Sequence, residues 1–476
     1  MNKVRVRFAP SPTGFMHLGN IRVALLNYLF AKKNNGTFII RVEDTDFERN
    51  IDPQAKVIIK DLTWLHLFFD EGPEKGGEYG TYFQSQRTEL YAQKLLELRE
   101  KNLVYRCFCT TEELEKKRMR HIALKQPPRY DRTCFKLDEA AIQKNLEENV
   151  PFIWRLKTTQ EKEISIQDFA HGTIKFNLKD FSDFPLTRAD GSFTFTFANC
   201  VDDILMKISH IIRGEDHITN TANQVVLYHS FDAAVPQFWH VPIIGNAEGK
   251  KLSKRDFGFS LGDLQKAGFL PEAICNYLGI IGGSFEKEIL SLDELVAVFD
   301  FQNIHATGLI KYDLEKLRWV NHKWIAQYDA TQLTELCLPF LKAFYPQAAT
   351  TSREVLQKLI ATVQTDIITL HDASQLLKFY FDAPQLTIAD LYGVIPQEAA
   401  LPILTLIHAK LPLISNPEEF IEAVKAEAKT QKISVKELFG TLRFLLTGSK
   451  EGLGIKELLD VLGVQESKNR LGKVQA

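Results

Sequence analysis

The sequence predicts an α/β chain: a doubly wound parallel sheet with a mixed α/β insertion, followed by an all-α C-terminal region. Three observations predict it. The first 42 residues read as strand, loop, helix and buried strand. Residues 103–190 change character, gathering three cysteines, a basic run and several short strands. From about residue 260 onward, apolar residues recur at helical spacing. A chain of 476 residues is also too long for one ordinary core, so about two to four domains are expected.

Val4, Val6 and Phe8 alternate with Lys3, Arg5 and Arg7, the period-2 pattern of a strand. Ala9-Pro10-Ser11-Pro12-Thr13-Gly14 is turn chemistry and ends it. From Leu18 to Lys33, apolar residues recur at Leu18, Ile21, Leu25 and Leu29 and at Ala24, Leu26 and Phe30, which predicts a helix. Asn34-Asn35-Gly36 closes that helix with residues tolerant of left-handed geometry. Residues 37–42 are a short apolar run, a buried strand closed by Glu43-Asp44-Thr45-Asp46. Together these form a βαβ unit with its first β-to-α loop at the C-terminal edge of the sheet.

Within the insertion, residues 152–156 and 172–176 predict short strands. The sheet resumes at Phe193, Phe195 and Phe197, which alternate with Thr194 and Thr196 as a strand. Residues 208–212 form another buried strand, followed by Arg213-Gly214-Glu215-Asp216-His217 and a helix carrying Asn220, Asn223 and Leu227. Residues 238–244 form a further strand that opens into a Gly- and Lys-rich loop, 245–255. Later, Val435, Leu438, Phe439, Leu442, Leu445 and Leu446 keep 3.6-residue spacing. Ile455, Leu458, Leu459 and Leu462 repeat it after the turn 448–454.

Composition excludes whole classes. Hydrophobic residues at 45% and charged residues at 25% rule out collagen-like, coiled-coil and disordered chains. The net charge of −2 gives no whole-chain sign of nucleic acid, although a basic face can be offset by an acidic one. Six cysteines are too few for a disulfide scaffold of this length. The N-terminal basic residues lack an apolar run behind them, so no secretory signal is expected. The apolar stretch 401–414, interrupted by His408 and Lys410, reads as a core helix too short to span a bilayer. These features predict a soluble cytoplasmic chain, monomeric by default and without a membrane partner.

Two loops carry the chemistry. The first, residues 10–20, joins the first strand to the first helix, where unpaired N–H groups and the helix dipole favour an anion. Gly14 and Gly19 permit close backbone approach, and His17 is placed to donate to a phosphate. Alone, this loop also reads as a Pro-rich turn with a helix-capping histidine. The second is Gly249-Lys250-Lys251-Leu252-Ser253-Lys254-Arg255. A charge run is commonly a solvated face. This one follows a late strand of the sheet that carries the His17 loop. Two phosphate-directed loops on one sheet predict a nucleoside triphosphate gripped at both ends.

These segments resemble the HIGH and KMSKS signatures of class I aminoacyl-tRNA synthetases. His17-Leu18-Gly19-Asn20 matches the first, with Asn in place of the final His, and Lys251-Leu252-Ser253-Lys254-Arg255 matches the second. The surroundings resemble the bacterial glutamyl-tRNA synthetases more specifically. They are Arg7-Phe8-Ala9-Pro10-Ser11-Pro12-Thr13-Gly14, Arg41-Val42-Glu43-Asp44-Thr45-Asp46 and Ile212-Arg213-Gly214-Glu215-Asp216-His217. Glu315-Lys316-Leu317-Arg318-Trp319 and Leu446-Thr447-Gly448 extend the resemblance almost end to end.

The resemblance implies a Rossmann-like catalytic sheet and a reaction. L-glutamate and ATP give a glutamyl-adenylate, whose acyl group passes to the 3′-terminal adenosine of tRNA(Glu), with AMP and diphosphate released. It implies His17, Lys251 and Lys254 as catalytic residues. It implies an ATP site of Pro12, Thr13, Gly14, His17, Gly19, Asn20, Asp216, Lys251, Ser253 and Lys254, with Mg²⁺ accompanying ATP. The chemistry agrees: the α-phosphate gains negative charge as the carboxylate attacks, so fixed positive groups are needed. A carboxylate is already a nucleophile at pH 7, so no general base is required.

For glutamate, the resemblance implies Arg7 on the side-chain carboxylate, Arg213 on the α-carboxylate and Glu43 on the ammonium. Ser11 and Asn199 add hydrogen bonds. Arginine suits both carboxylates through its planar fork. Without the resemblance, Glu43 reads as a surface acid and Arg213 as a strand-end salt-bridge partner. Where the family has Pro-Thr-Tyr, this chain has Phe193-Thr194-Phe195, so Phe195 lacks the hydroxyl. Thr194 and Thr196 are expected on the opposite strand face and do not replace it.

Cys107, Cys109 and Cys134 resemble the zinc site in the insertion of some family members. Three thiolates with a fourth ligand suit tetrahedral Zn²⁺. Position 136, histidine in some relatives, is Lys136. Tyr130 is the substitute implied by the family, with His121 an alternative and loss of the metal another.

The expected domains are 1–102 and 191–245 for the two parts of the catalytic domain and 103–190 for an acceptor-end insertion. Residues 246–320 hold the second signature loop and stem-contact helices, and 321–476 an all-α anticodon-binding domain. Glutaminyl-tRNA synthetases share the catalytic half but carry β-barrel anticodon domains, against the helical pattern here. The tRNA-modifying glutamyl-queuosine paralogue lacks an anticodon domain. A catalytically dead tRNA-binding paralogue is opposed by the intact His17, Lys251 and Lys254.

Overall fold

The computed structural model describes all residues except 1–2, 13, 46–49, 53, 127, 160–161, 247, 253–255, 259, 305–307 and 475–476. The chain divides into two compact units. One is Met1–Asp263 with Ile274–Leu314, and the other is Leu264–Ala273 with Glu315–Ala476.

The first unit begins as the sequence predicts. Strand β1 (Arg5–Phe8), helix α1 (Leu18–Lys33) and strand β2 (Thr37–Ile40) form the βαβ unit, with β1 and β2 parallel and Arg5 opposite Thr37. Asn35, just past α1, takes φ 47°, the left-handed geometry expected of this Asn-Asn-Gly stop. One feature of β1 differs from a half-exposed alternating strand: all four residues are buried. A parallel strand covered on both faces leaves no wet side. Arg5 and Arg7 are therefore buried and must find carboxylates. Arg5 pairs with Glu71 at 2.8 Å and Arg7 with Asp203 at 3.1 Å.

Helices α2 (Lys56–Trp64) and α3 (Thr88–Glu100) follow, then strand β3 (Val104–Cys107). Helices α4 (Thr111–Ala123) and α5 (Glu139–Glu147) separate β3 from its antiparallel partner β4 (Ile153–Leu156). Strands β5 (Glu163–Asp168) and β6 (Gly172–Asn177) form a hairpin whose edge joins the main sheet, since Asp168 of β5 lies opposite Phe238 in parallel.

Residues 193–197 are not the predicted strand. Phe195 opens helix α6 (Phe195–Leu205). The Phe-Thr-Phe-Thr-Phe alternation imitates period 2, but the following apolar residues follow the helical period. Phe197, Ala198, Val201 and Cys200 bury one side of α6. Phe193 and Phe197 stack at 5.4 Å in the core, while Phe195 turns elsewhere. The expected opposite-face placement of Thr194 and Thr196 falls with the strand.

Strand β7 (His210–Gly214), helix α7 (Ile218–Ser230) and strand β8 (Gln237–Val241) complete the sheet, with order β6-β5-β8-β7. Ser209, entering β7, donates to the Arg5 carbonyl at 3.0 Å and ties β1 alongside. The predicted strand 238–244 stops at Val241, because Pro242 has no N–H to give a ladder. Ile244–Gly245 then forms strand β9, parallel to β10 (Ile310–Lys311).

Among its described residues the second unit holds helices joined by turns and loops, and no strand. The helix Val435–Thr447 ends on Gly448 at φ 80°, and Ile455–Lys473 follows with a break at Gly463 (φ 74°, ψ 170°), just past the predicted apolar repeat that ends at Leu462. The apolar stretch expected at 401–414 runs longer. Helix and tight turn together span Gln397–Ser415, 19 residues, which by length and composition alone could cross a membrane. Ile403, Leu404 and Ile407 are nonetheless fully buried in this unit.

Candidate active site

A cavity of about 440 Å³ opens at the C-terminal ends of β1 and β7. Arg7, Ser11, Glu43, Phe195, Asn199 and Arg213 line it. So do Gly14, His17, Gly19, Asn20, Asp216 and Lys251. Pro12 is not among the lining residues. Thr13, Ser253 and Lys254 lie outside the described residues.

At one end the charges are buried and interlocked. Arg7 reaches Asp203 through Nε at 3.1 Å and Nη2 at 3.3 Å. Arg41 donates to the same carboxylate at 2.6 Å and to Glu43 at 3.3 Å. Burial pushes the Asp203 carboxyl up, but Arg41 and Arg7 outweigh it and hold the group below its ordinary range. Burial raises Glu43, with Arg41, Arg7 and a hydrogen bond from Asn199 opposing. Asn199 donates its amide to Glu43 and accepts from Gln224 at 2.8 Å. Phe195 and Asn199 are one turn apart on α6, so the helix brings both to the cavity.

Arg213 stands opposite in chemistry. Its Nη2 donates to Thr221 and Gln224, each at 2.6 Å, and its Nε reaches His240 at 3.5 Å. All three partners are uncharged acceptors. Burial, with Arg7 adding, lowers Arg213 to about 10, so it keeps its charge at pH 7. Arg7 and Arg213 share a pattern: each spends Nε and Nη2 on protein, and among the described residues neither Nη1 has a protein partner. Two fixed guanidinium groups with a spare donor, beside a buried acid, can hold a small molecule carrying carboxylates and an ammonium.

The other end is wetter. His17 caps α1, its Nδ1 accepting the Asn20 N–H at 3.3 Å. Burial, with Lys251 adding and Asp216 opposing, lowers the imidazole to about 4. The ring is therefore neutral at pH 7, with Nε2 carrying its proton. A Cβ at Gly19 would lie 3.1 Å from the His17 ring, so glycine there leaves the ring its place. Lys251 pairs with Asp216 at 3.0 Å, both well exposed at 61% and 43%. A neutral N–H donor, a helix N-terminus and a lysine can hold a polyphosphate.

Cys107, Cys109 and Cys134 gather with all ligand atoms within 4.8 Å of one another. The Tyr130 hydroxyl lies 3.2 Å from Cys107 Sγ and 3.7 Å from Cys109 Sγ. The hydrogen bond with Cys134, helped by Tyr130 and Arg155, holds the Cys107 thiol well below its ordinary range. Three sulfurs and one oxygen converge, a donor set that fits Zn²⁺. His121 instead accepts the Arg129 N–H at 3.2 Å and is not in the group.

Sequence reasoning missed Asp203 and the role of Arg41, the two residues that lock Arg7 and Glu43. It also missed His217, whose ring lines the cavity 5.8 Å from that of Phe195. Burial and Arg213 lower His217 to about 4. The quoted motifs contain Arg41 and His217, and Asp203 follows Asn199 by one helical turn, so the signals were present without their partners.

Comparisons with known proteins agree over the whole chain. Residues 3–319 match the class I (E and Q) tRNA synthetase catalytic domain, and residues 332–475 match an anticodon binding domain. The chain is 37% identical to a glutamate–tRNA ligase of a Sulfurihydrogenibium species, covering 98% of both chains. It is 35% identical to the glutamate–tRNA ligase of Bacillus subtilis, covering 99% of this chain and 100% of that one. The crystal structure of a glutamate tRNA ligase from Elizabethkingia meningosepticum, in complex with its amino acid, superimposes with TM-score 0.88 at 32% identity over 99% of each chain. The chain belongs to the glutamate–tRNA ligase family of class I tRNA synthetases.

Proposed function

We propose that the cavity joins L-glutamate to ATP and passes the glutamyl group to the 3′-terminal adenosine of a glutamate tRNA, releasing AMP and diphosphate. The observation that carries this reading is the pair Arg7 and Arg213, each rigidly held with one nitrogen to spare. In this reading Arg7 takes the side-chain carboxylate, Arg213 the α-carboxylate and Glu43 the ammonium. Ser11 and Asn199 add hydrogen bonds, and the Phe195 ring closes the wall. Placing the α-carboxylate oxygen in line with the α-phosphate is the main task, since that oxygen needs no deprotonation.

His17, Lys251 and Lys254 stabilise the charge that builds on the phosphates, with Pro12, Thr13, Gly14, Gly19, Asn20, Asp216 and Ser253 completing the nucleotide site. ATP carries Mg²⁺ on its diphosphate side, which neutralises charge there. The segment 103–190 receives the acceptor end and the helical region beyond 321 reads the anticodon. Zn²⁺ is held by Cys107, Cys109, Cys134 and Tyr130 as a structural ion, supported by the convergence of the four side chains. The enzyme works in the cytoplasm as a monomer.

ATP–diphosphate exchange with glutamate, measured with and without glutamate tRNA, tests the reaction. Glutamate-dependent exchange is expected, and exchange with glutamine but not glutamate would refute the reading. Metal analysis of protein prepared without chelator tests the zinc. About one zinc per chain, lost in Cys109→Ser, is expected.

A further inference from the structure

Three neighbouring strands present a row of buried polar groups, of which the proposed chemistry uses only Arg213. Asp168 ends β5, His240 lies on β8 and Arg213 on β7, where it faces His240 directly across the parallel ladder. Asp168 and His240 have no exposed side-chain surface. Asp168 Oδ2 receives the His240 N–H at 3.0 Å and His240 Nδ1 at 2.7 Å. Its Oδ1 receives the N–H groups of Ala170 and His171, at 2.9 and 3.0 Å, and His171 Nδ1 at 3.0 Å.

The directions at the carboxylate and at the guanidinium follow by elimination. An ionised carboxylate only accepts, so His240 Nδ1 carries its proton. In a neutral imidazole Nε2 must then be an acceptor. Thr221 Oγ1 lies 2.8 Å from that Nε2. The same oxygen is 2.6 Å from Arg213 Nη2, which can only donate. The hydroxyl's one proton has two acceptors in range, Nε2 at 2.8 Å and the His217 carbonyl at 3.1 Å; on the shorter contact, the bonds run from guanidinium to hydroxyl to imidazole to carboxylate.

We propose that Asp168, His240 and Thr221 are positioning residues for Arg213. Thr221 and His240 hold its guanidinium directly and Asp168 supplies a counter-charge through them without contacting it, so that Nη1 stays available for a substrate carboxylate. A carboxylate paired directly with Arg213 would compete with the substrate; the relay removes that competitor while still anchoring the buried cation. This rests on the reading that Arg213 binds a glutamate carboxylate.

Charging kinetics of four single variants test it. Thr221→Val keeps the shape and removes the hydroxyl. It should raise the KM for glutamate about tenfold to hundredfold, the value of one hydrogen bond to a charged group. The KM for ATP and kcat should stay near wild type. Thr221→Ser should restore the glutamate KM. Asp168→Asn offers His240 an amide donor, favours the wrong tautomer and should show the same split. If Asp168→Asn does not fold, the Thr221 pair decides alone.

A Thr221→Val enzyme with an unchanged glutamate KM, or with glutamate KM, ATP KM and kcat all damaged together, overturns the relay. Arg213→Ala separates the two levels. If it leaves the glutamate KM unchanged, the assignment of Arg213 itself falls. If it raises that KM while Thr221→Val and Asp168→Asn do not, only the relay falls.

Discussion

The two ends of the cavity carry similar groups under opposite physical conditions. Around Arg7, Arg41 and Asp203 the charges are almost wholly dry, with side-chain exposures of 3%, 0% and 0%. Around Lys251 and Asp216 they are 61% and 43% exposed. A buried charge must be paired before any ligand arrives, because desolvation is not otherwise offset. An exposed charge can wait in water at little cost. The contrast teaches that one end is preorganised by the fold, at the expense of stability if any partner is lost. The other holds its lysine in an exposed pair that a polyphosphate can displace at little cost.

Removing one acid from each end is the largest test of this contrast. Asp203→Ala leaves Arg7 and Arg41 buried without their shared carboxylate. It should cost about 3–5 kcal/mol of stability, read by denaturant melts. Asp216→Ala should cost no more than about 1 kcal/mol, since its pair is exposed. Equal losses from the two variants would erase the distinction.

Lys251→Ala sharpens the same comparison from the functional side. It should remove about 2.7–4 kcal/mol of transition-state stabilisation in ATP–diphosphate exchange while the melting curve stays put. Loss of fold together with activity would mean that Lys251 is structural and that the wet end is no freer than the dry one.

The difference between the ends also governs what the sequence reveals. The His17 loop and the Lys251 loop are contiguous, and each was legible because its chemistry is local. The limits of α1 were legible because the 3.6-residue period and the Asn-Asn-Gly stop agree. The dry end is assembled from afar: Arg7 meets Asp203 across 196 positions, and Asp168 meets His240 across 72. No local pattern announces such a pair. Residues 193–197 failed for another reason, since five residues of strict alternation are too few to separate a strand from the first turn of a helix. Arg5 and Arg7 looked like the wet face of a strand because period alone does not say that a sheet is covered on both sides.

Phe195→Tyr probes the dry end with a smaller expected effect. The ring lines the cavity from the first turn of α6, beside His217. A hydroxyl there should hydrogen-bond the substrate and lower the KM for glutamate. The gain is bounded by about 1.5–3 kcal/mol, one hydrogen bond to a charged group. A water already filling that place would shrink it. An unchanged or raised KM in a folded variant would mean that position 195 shapes the wall without reaching the ligand.

The smallest effect lies in how His17 couples folding to pH. Burial, with Lys251 adding, holds the folded imidazole at about 4, whereas in the unfolded chain it titrates near 6.5. Between those values the unfolded chain binds the extra proton. Stability from this group is thus complete above pH 6.5 and is lost as pH falls toward 4. His217, lowered to about 4 by burial and Arg213, acts in the same direction. Asp61 acts in the opposite one: burial raises it to about 6, so the folded chain binds its proton first and gains stability as pH falls. The wild-type curve sums these terms and cannot assign them. The difference between wild type and His17→Asn can, because the other two groups cancel in it and asparagine retains a capping side chain. From pH 6.5 to 5.5 the wild type should lose stability relative to the variant, by less than about 1.4 kcal/mol, the ceiling for one proton over one unit. Parallel stability curves would mean that His17 protonates as easily in the folded protein as in the unfolded one, and that the first loop is as wet as the second.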